Sequence, residues 1–349
     1  MEALVIRIPF ATCFVLCLAA VPLAGQSAPE DTPWLELQSV TLGIRYRMLE
    51  NDLGSRSQNW SDHHEGLKLR LKLDRAARYS LTAVAFNGDS FQASWNLRGL
   101  RDGQSSNHVF LKQLYVAGKP RKDVEFQYGG LPVVRGESSE ITSYDNDGYL
   151  VGQRLTLSPK GLSPKGIDGI TVTAGCLGDF RQPSVIRRLH RLSAINYGQI
   201  LVKKKLSDRL TATADFTNDD EERTLRQGVA IRPSRGVDLV RIEAYERVSE
   251  QRGAGGAITV EKPFGRTRLA ASFASVDDHY RPVNGDRYGR GRRLSFTSTT
   301  ALTRDVSLQF FVTHALDDDL VMGNHTRFDV HIRYELAAIL RQLAGWGQQ

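Results

Sequence analysis

From Trp34 to Leu336 one pattern recurs along the chain: a run of roughly 8 to 12 residues in which apolar and polar side chains alternate, then a turn or a polar loop. In the stretch Gly66 to Asp74, Leu67, Leu69, Leu71 and Leu73 share one side while Lys68, Arg70 and Lys72 share the other. A period of two places successive side chains on opposite faces of a sheet, so each run reads as a strand with one greasy and one polar face. Ile170, Val172 and Ala174 stand against Thr171 and Thr173; Leu210, Ala212, Ala214 and Phe216 against Thr211, Thr213 and Asp215. Near the end Val306, Leu308, Phe310 and Val312 oppose Ser307 and Gln309, and Phe328, Val330, Ile332 and Tyr334 oppose Arg327, Asp329, His331 and Arg333.

The connections sharpen this reading because they alternate in length. Short links fall at 75–77, 119–123, 206–208, 233–236, 263–266 and 303–305. Longer polar loops fall at 51–65, 88–107, 134–148, 178–193, 248–256, 277–291 and 317–326. Tight turns at one end and long loops at the other describe an antiparallel up-and-down β-barrel. The expected fold class is all-β, a transmembrane barrel over 29–336 with about sixteen strands, fourteen to eighteen being compatible with the pattern. Strand starts are expected near residues 36, 66, 78, 107, 123, 149, 169, 194, 209, 223, 237, 256, 267, 292, 305 and 326. A soluble β-sandwich or β-helix also alternates, with its apolar face turned inward; chain length, even pairing and loop asymmetry favour the barrel. The tail 337–349 reads as a short amphipathic helix or a frayed end.

Residues 1–28 have Arg7 near the start, an apolar stretch from Phe10 to Leu23 and small residues at Ala24, Gly25, Ser27 and Ala28, the layout of a cleaved secretory signal. Its removal takes Cys13 and Cys17 with it and leaves Cys176 alone, so no intramolecular disulfide framework is expected. Cys176 falls on an apolar strand face and reads as a small hydrophobe. Past the signal no apolar run approaches the ~20 residues of a spanning helix, so entry into a membrane requires a closed sheet.

The stretch Phe110 to Val116, the following Val124 to Gly130, and then Asp145 to Leu155 resemble a strand trio of bacterial outer-membrane porin-like proteins, the alginate-export family among them. Phe86 to Asn96 is similar to that family's first long loop, and Gly129-Gly130 stands where the family has Gly-Arg. The resemblance implies an outer-membrane barrel that passes hydrophilic solutes.

If the apolar face meets lipid, the charged face must line the lumen, because a charge turned to mid-bilayer costs ~2 to 4 kcal/mol. Arg45, Arg47, Lys68, Arg70, Lys72, Arg154, Arg226, Arg232, Arg241, Arg268, Arg293, Arg327 and Arg333 are therefore expected inside. Acids on that face are fewer: Glu125, Asp215, Glu243, Glu261, Asp329 and Glu335. A basic excess within a low-dielectric wall concentrates anions. Cross-strand ion pairs that brace the wall are the competing role for any one arginine. The alternating signs of Arg327, Asp329, Arg333 and Glu335 suit bracing, and Lys68, Arg70 and Lys72, with no acid among them, suit a solute ladder.

The loop 178–193 carries Arg181, Arg187, Arg188, His190 and Arg191 between Val185, Ile186, Leu189 and Leu192. It is read either as a constriction or mouth element folded inward, or as an external loop whose cations meet lipopolysaccharide phosphates. The cationic stretch Arg281 to Arg293, with Arg287, Arg290 and Arg292, invites the same two readings. Asp145-Asn-Asp-Gly148, Asp219 to Glu222, Asp317 to Asp319 and His63-His64 lack complete metal-ligand spacing, so neither metal nor cofactor is expected. His108, His279 and His314 have no nucleophile motif beside them, and no phosphate loop or nicotinamide fingerprint occurs, so no enzyme is expected. The net charge of +7 is spread over strands with few clustered aromatics and gives no nucleic-acid footprint. The expectation is an outer-membrane, porin-like channel, exported through the periplasm, for small or polymeric hydrophilic solutes, anionic ones favoured, with outer-membrane lipid and lipopolysaccharide as neighbours. A non-conducting structural or adhesion barrel and a rim-active hydrolase are the alternatives.

Overall fold

The computed structural model describes residues 34–50, 58–87, 110–144, 150–158, 166–177, 184–219, 222–249, 252–280, 288–317 and 325–343. The expected signal at 1–28, the tail end 344–349, the cluster 145–148, His108 and Arg181 lie outside them.

Sixteen strands form one sheet: β1 (Leu35–Glu50), β2 (Gln58–Lys72), β3 (Tyr79–Asn87), β4 (Phe110–Arg121), β5 (Val124–Leu131), β6 (Leu150–Leu157), β7 (Gly169–Leu177) and β8 (Tyr197–Ser207), then β9 (Leu210–Asp219), β10 (Glu222–Ile231), β11 (Leu239–Arg247), β12 (Gly253–Phe264), β13 (Thr267–Val276), β14 (Gly291–Ala301), β15 (Val306–Ala315) and β16 (Thr326–Glu335). Each pairs antiparallel with its neighbours in sequence, and β1 pairs with β16, so the sheet closes with no free edge. The seam runs from Thr41 opposite Glu335 to Glu50 opposite Thr326. Glu335 staples its base, accepting from Ser39 Oγ at 2.8 Å and from the Val40 amide at 2.9 Å. The chain then turns into a short helix, α1 (Ala337–Leu343), with Ala337 buried.

The two faces differ as a two-residue period demands. On β1, Ile44 is 52% exposed while Arg47, three positions on and on the other face, is fully buried. Large apolar side chains lie exposed around the outer surface, among them Leu67, Leu71, Leu155, Val172, Ile200, Phe216, Ile242, Ile258, Phe273 and Phe296. Arg154, Asp215, Arg226, Glu243, Arg293, Arg327 and Asp329 are buried on the inner face. The wall is thus inverted relative to a soluble sandwich. No helix of the described residues is long and apolar enough to cross a membrane.

The connections depart from expectation at two places. The β9–β10 link, at the long-loop end, is tight, with Glu222 paired to Asp219. The β6–β7 link runs from Ser158 to Asp168 at the short-turn end, longer than its neighbours there.

Candidate functional site

The segment from Pro132 to Tyr144, between β5 and β6, enters the barrel. The sequence marks it only as one more polar loop. Its Glu137 amide donates to Thr213 Oγ1 at 3.0 Å, and its Val134 carbonyl accepts from Gln199 Nε2 at 2.9 Å. The Ser139 amide donates to Glu243 at 2.8 Å, and the Ser139 and Thr142 hydroxyls donate to the same carboxylate. The Thr142 carbonyl accepts from Arg226 Nη1 at 3.2 Å and from Tyr280 OH at 2.5 Å. Arg154 donates to the Pro132 carbonyl. Ile141 packs with Tyr245, Ala257, Ala274, Val276 and Tyr280. These partners lay the segment along the inner face of β6 and β8 to β13.

Small residues make room for it. A Cβ on Gly228 of β10 would come within 2.9 Å of the Glu137 and Ser138 backbone, and Gly136 holds a left-handed φ of 62° against Thr213 and Leu201. At the segment's end Tyr144 donates to Asp219, and burial, reinforced by that carboxylate, pushes its phenol well above the usual range. Burial likewise raises the Tyr280 phenol, so it remains a donor to the segment. Beneath the segment, toward the short turns, is a cavity of about 720 Å³ lined by Arg135, Glu140, Lys203, Arg241, Thr171 and Tyr288, among others.

The expected lumen residues divide between two arcs. On the arc that carries the segment, Arg226 is bound by Asp215 at 2.8 Å, Arg154 reaches Gln127 at 3.0 Å and Thr173 at 3.1 Å, and Arg241 faces Glu261 at 3.5 Å. Arg247 of this arc, which sequence reasoning missed, joins Asp277 at 2.9 Å and Glu222 at 3.4 Å. On the opposite arc, β14 to β16 and β1 to β4, stand Arg45, Arg47, Lys68, Arg70, Lys72, Arg293, Arg327 and Arg333. Lys112 joins them from β4, its ammonium 4.8 Å from the Phe86 ring centroid. Asp329 is shared by Arg47 at 2.9 Å and Arg327 at 2.5 Å. Bracing therefore runs along β16, as its alternating signs suggest, and also across the seam to β1. Glu335 binds Ser39 and the Val40 amide at that seam.

Three expectations need correction. The ladder Lys68, Arg70 and Lys72 is not free of acid: Glu36, on β1, lies 2.7 Å from Lys72 and 3.8 Å from Arg70, a neighbour that a single strand's pattern cannot reveal. Arg232 lies past the end of β10, exposed in a turn, whereas Arg268, near the short-turn end of β13, keeps the inward face 3.8 Å from Glu261. The described part of the loop 178–193, from residue 184 on, does not fold inward. Its 3-10 helix, η1 (Val185–Arg191), packs on the outer wall, where Val185 joins the outward-facing Val151 of β6 and Cys176 of β7. Arg187, His190 and Arg191 are exposed there and Arg188 is buried.

In the second cationic stretch the described part begins at Tyr288. Arg290 Nε donates to the Tyr280 carbonyl at 2.8 Å, Arg292 pairs with Asp317 at 2.6 Å, and Arg293 turns inward. The Arg292 guanidinium holds the Asp317 carboxyl below its ordinary value. Among the described residues no group of three or more His, Cys, Asp or Glu gathers as a metal site would require.

Solved structures to which the chain is similar in fold include porins. A triple-substituted form of Rhodopseudomonas blastica porin superposes with a TM-score of 0.55 at 12% identity, over 86% of this chain and 100% of that one. A double-substituted form of the same porin gives 0.54 at 13% identity over the same shares. The likeness is one of fold. No protein-family model and no curated protein matches the chain, so the resemblance to the alginate-export family gains no support from them.

Proposed function

We propose that the protein is an outer-membrane channel through which hydrophilic solutes pass passively, with anions favoured. The observation that carries this reading is the inward-folded 132–144 segment, which narrows a charged interior enclosed by an apolar outer wall. A segment that only decorated a solid barrel would have no reason to press against one arc and face a basic arc across the interior. A closed barrel with its greasy side outward satisfies every backbone group in lipid, and an apolar exterior of this extent has no other solvent. The likeness to porin structures points the same way. The leader at 1–28 supports export through the periplasm to the outer membrane.

Anion preference follows from the uneven wall. Lys68, Arg70 and Arg333 face the passage on an arc whose inward-facing described acids, Glu36, Asp329 and Glu335, are engaged chiefly by Lys72, Arg47 and the seam. Cations fixed in a low-dielectric wall raise the local concentration of anions. Purified protein in a planar bilayer is expected to conduct in steps, and under a salt gradient its reversal potential should favour chloride over potassium. Folded protein that never conducts would establish the non-conducting barrel instead, and a potassium-favouring reversal potential would remove the anion preference.

A further inference from the structure

Many outward-facing positions on the wall carry large apolar side chains left exposed, but a patch at the long-loop ends of β5, β6 and β7 is covered. There Gly130, Val151 and Cys176 lie beneath η1, with Val151 and Val185 fully buried. A Cβ on Gly130 would sit 2.0 Å from Val185 Cγ2, so the helix is seated directly on the strand. The last residues of β5 and β7 and the first of β6 set its height, at the rim of the apolar band. On its far side η1 presents Ile186, 60% exposed, beside Arg187, His190 and Arg191, and Ile195 follows at 55% exposed. Its sequence, Val185 to Arg191, holds no acid.

An apolar side chain turned outward beside three basic groups, at the edge of a greasy band, is the composition of an element that lies in a lipid interface. We propose that η1 and the residues just after it are a docking site for phosphorylated glycolipid of the outer leaflet, Ile186 and Ile195 entering the acyl region and Arg187, His190 and Arg191 binding the headgroup phosphates. The inference rests on the outer-membrane reading, since phosphates at that height belong to the leaflet. Arginine is suited to the task because its planar fork binds phosphate oxygens in pairs. A second copy of the chain is the less fitting occupant, since two such faces would bring their cations together.

The test uses the full chain folded in detergent, with bound lipid counted by native mass spectrometry. Wild-type protein is titrated with diphosphoryl lipid A and with the same lipid stripped of phosphate; the Arg187→Ala, His190→Ala, Arg191→Ala triple variant is titrated alongside. Tenfold or greater preference for the diphosphoryl lipid is expected in the wild type and loss of that preference in the variant. Folding is checked by heat-modifiable gel mobility, and Arg191→Glu alone serves if the triple variant does not fold. Equal binding of the two lipids by wild type, an unchanged preference in the variants, or copies cross-linking through position 187 in place of lipid would overturn the proposal. Planar-bilayer conductance of the same samples separates this outcome from failure of the channel reading, because lipid binding remains measurable in a barrel that does not conduct.

Discussion

Glu243 receives three hydrogen bonds from the inward segment, two from Ser139 and one from Thr142, and no other single side chain described on the wall holds as much of it. A hydrogen bond to a charged group contributes about 1.5 to 3 kcal/mol. Glu243→Ala therefore frees the middle of the segment while Arg226 and Tyr280 still hold its end. Open-channel current noise is expected to rise several-fold in single-channel recordings; a quiet, unchanged channel would show that the segment does not depend on this carboxylate. Arg226 poses a different balance, for it and Asp215 are both buried and bound to each other at 2.8 Å. Removing one member leaves the other charge stranded, at a cost of about 3 to 5 kcal/mol, whereas replacing both with apolar groups is often tolerated. Arg226→Met should lower the urea midpoint of the folded barrel, and adding Asp215→Leu should restore most of the loss. A double variant no better than the single one would contradict this account of the pair.

At the scale of elements, the fit of η1 on β5 depends on the absence of a side chain at Gly130. Gly130→Leu is expected to lift the helix from the wall and uncover Cys176, now 3% exposed, so that a lipid-soluble maleimide labels it at least tenfold faster. Labelling at the wild-type rate would mean that the helix stays seated. Neither this contact nor the inward segment was legible in the sequence, and for the same reason. Their partners, Gly130 for Val185 and Glu243 for Ser139, are distant in the chain, and local spacing carries no record of which wall a loop will meet. The strands were legible because period-two alternation is local. Fifteen begin within three residues of their expected starts, and β2 is the exception, starting at Gln58 rather than near residue 66. Its outer extension places Ser61, His63 and Glu65 where leucines would continue the pattern, opposite Tyr46, Ile44 and Leu42 of β1. The tight β9–β10 link escaped notice because Asp219 and Glu222, acidic enough to suggest a loop, are the paired ends of two strands.

Across the whole molecule the charge is arranged by side rather than by amount. The arc carrying the inward segment matches its cations with acids in close pairs, such as Arg226 with Asp215 and Arg247 with Asp277. The opposite arc pairs Arg47 and Arg327 with Asp329 and Lys72 with Glu36, and sets Lys68, Arg70 and Arg333 toward the space that the segment leaves. Lys68 and Arg70 occupy successive inward positions on β2, and Glu36 is drawn chiefly to Lys72, 2.7 Å away, rather than to Arg70 at 3.8 Å. Reversing the two charges, Lys68→Glu with Arg70→Glu, changes the sign of that stretch without touching the segment or its anchors. Unitary conductance in concentrated salt should change little, because screening shortens to about 3 Å at 1 M and the passage keeps its width. In dilute salt, where the screening length is about 30 Å at 0.01 M, the reversal potential should shift toward potassium. A shift of equal size at both salt concentrations would point to a change of shape rather than of field. No shift in dilute salt would place the selectivity of the channel elsewhere on its wall.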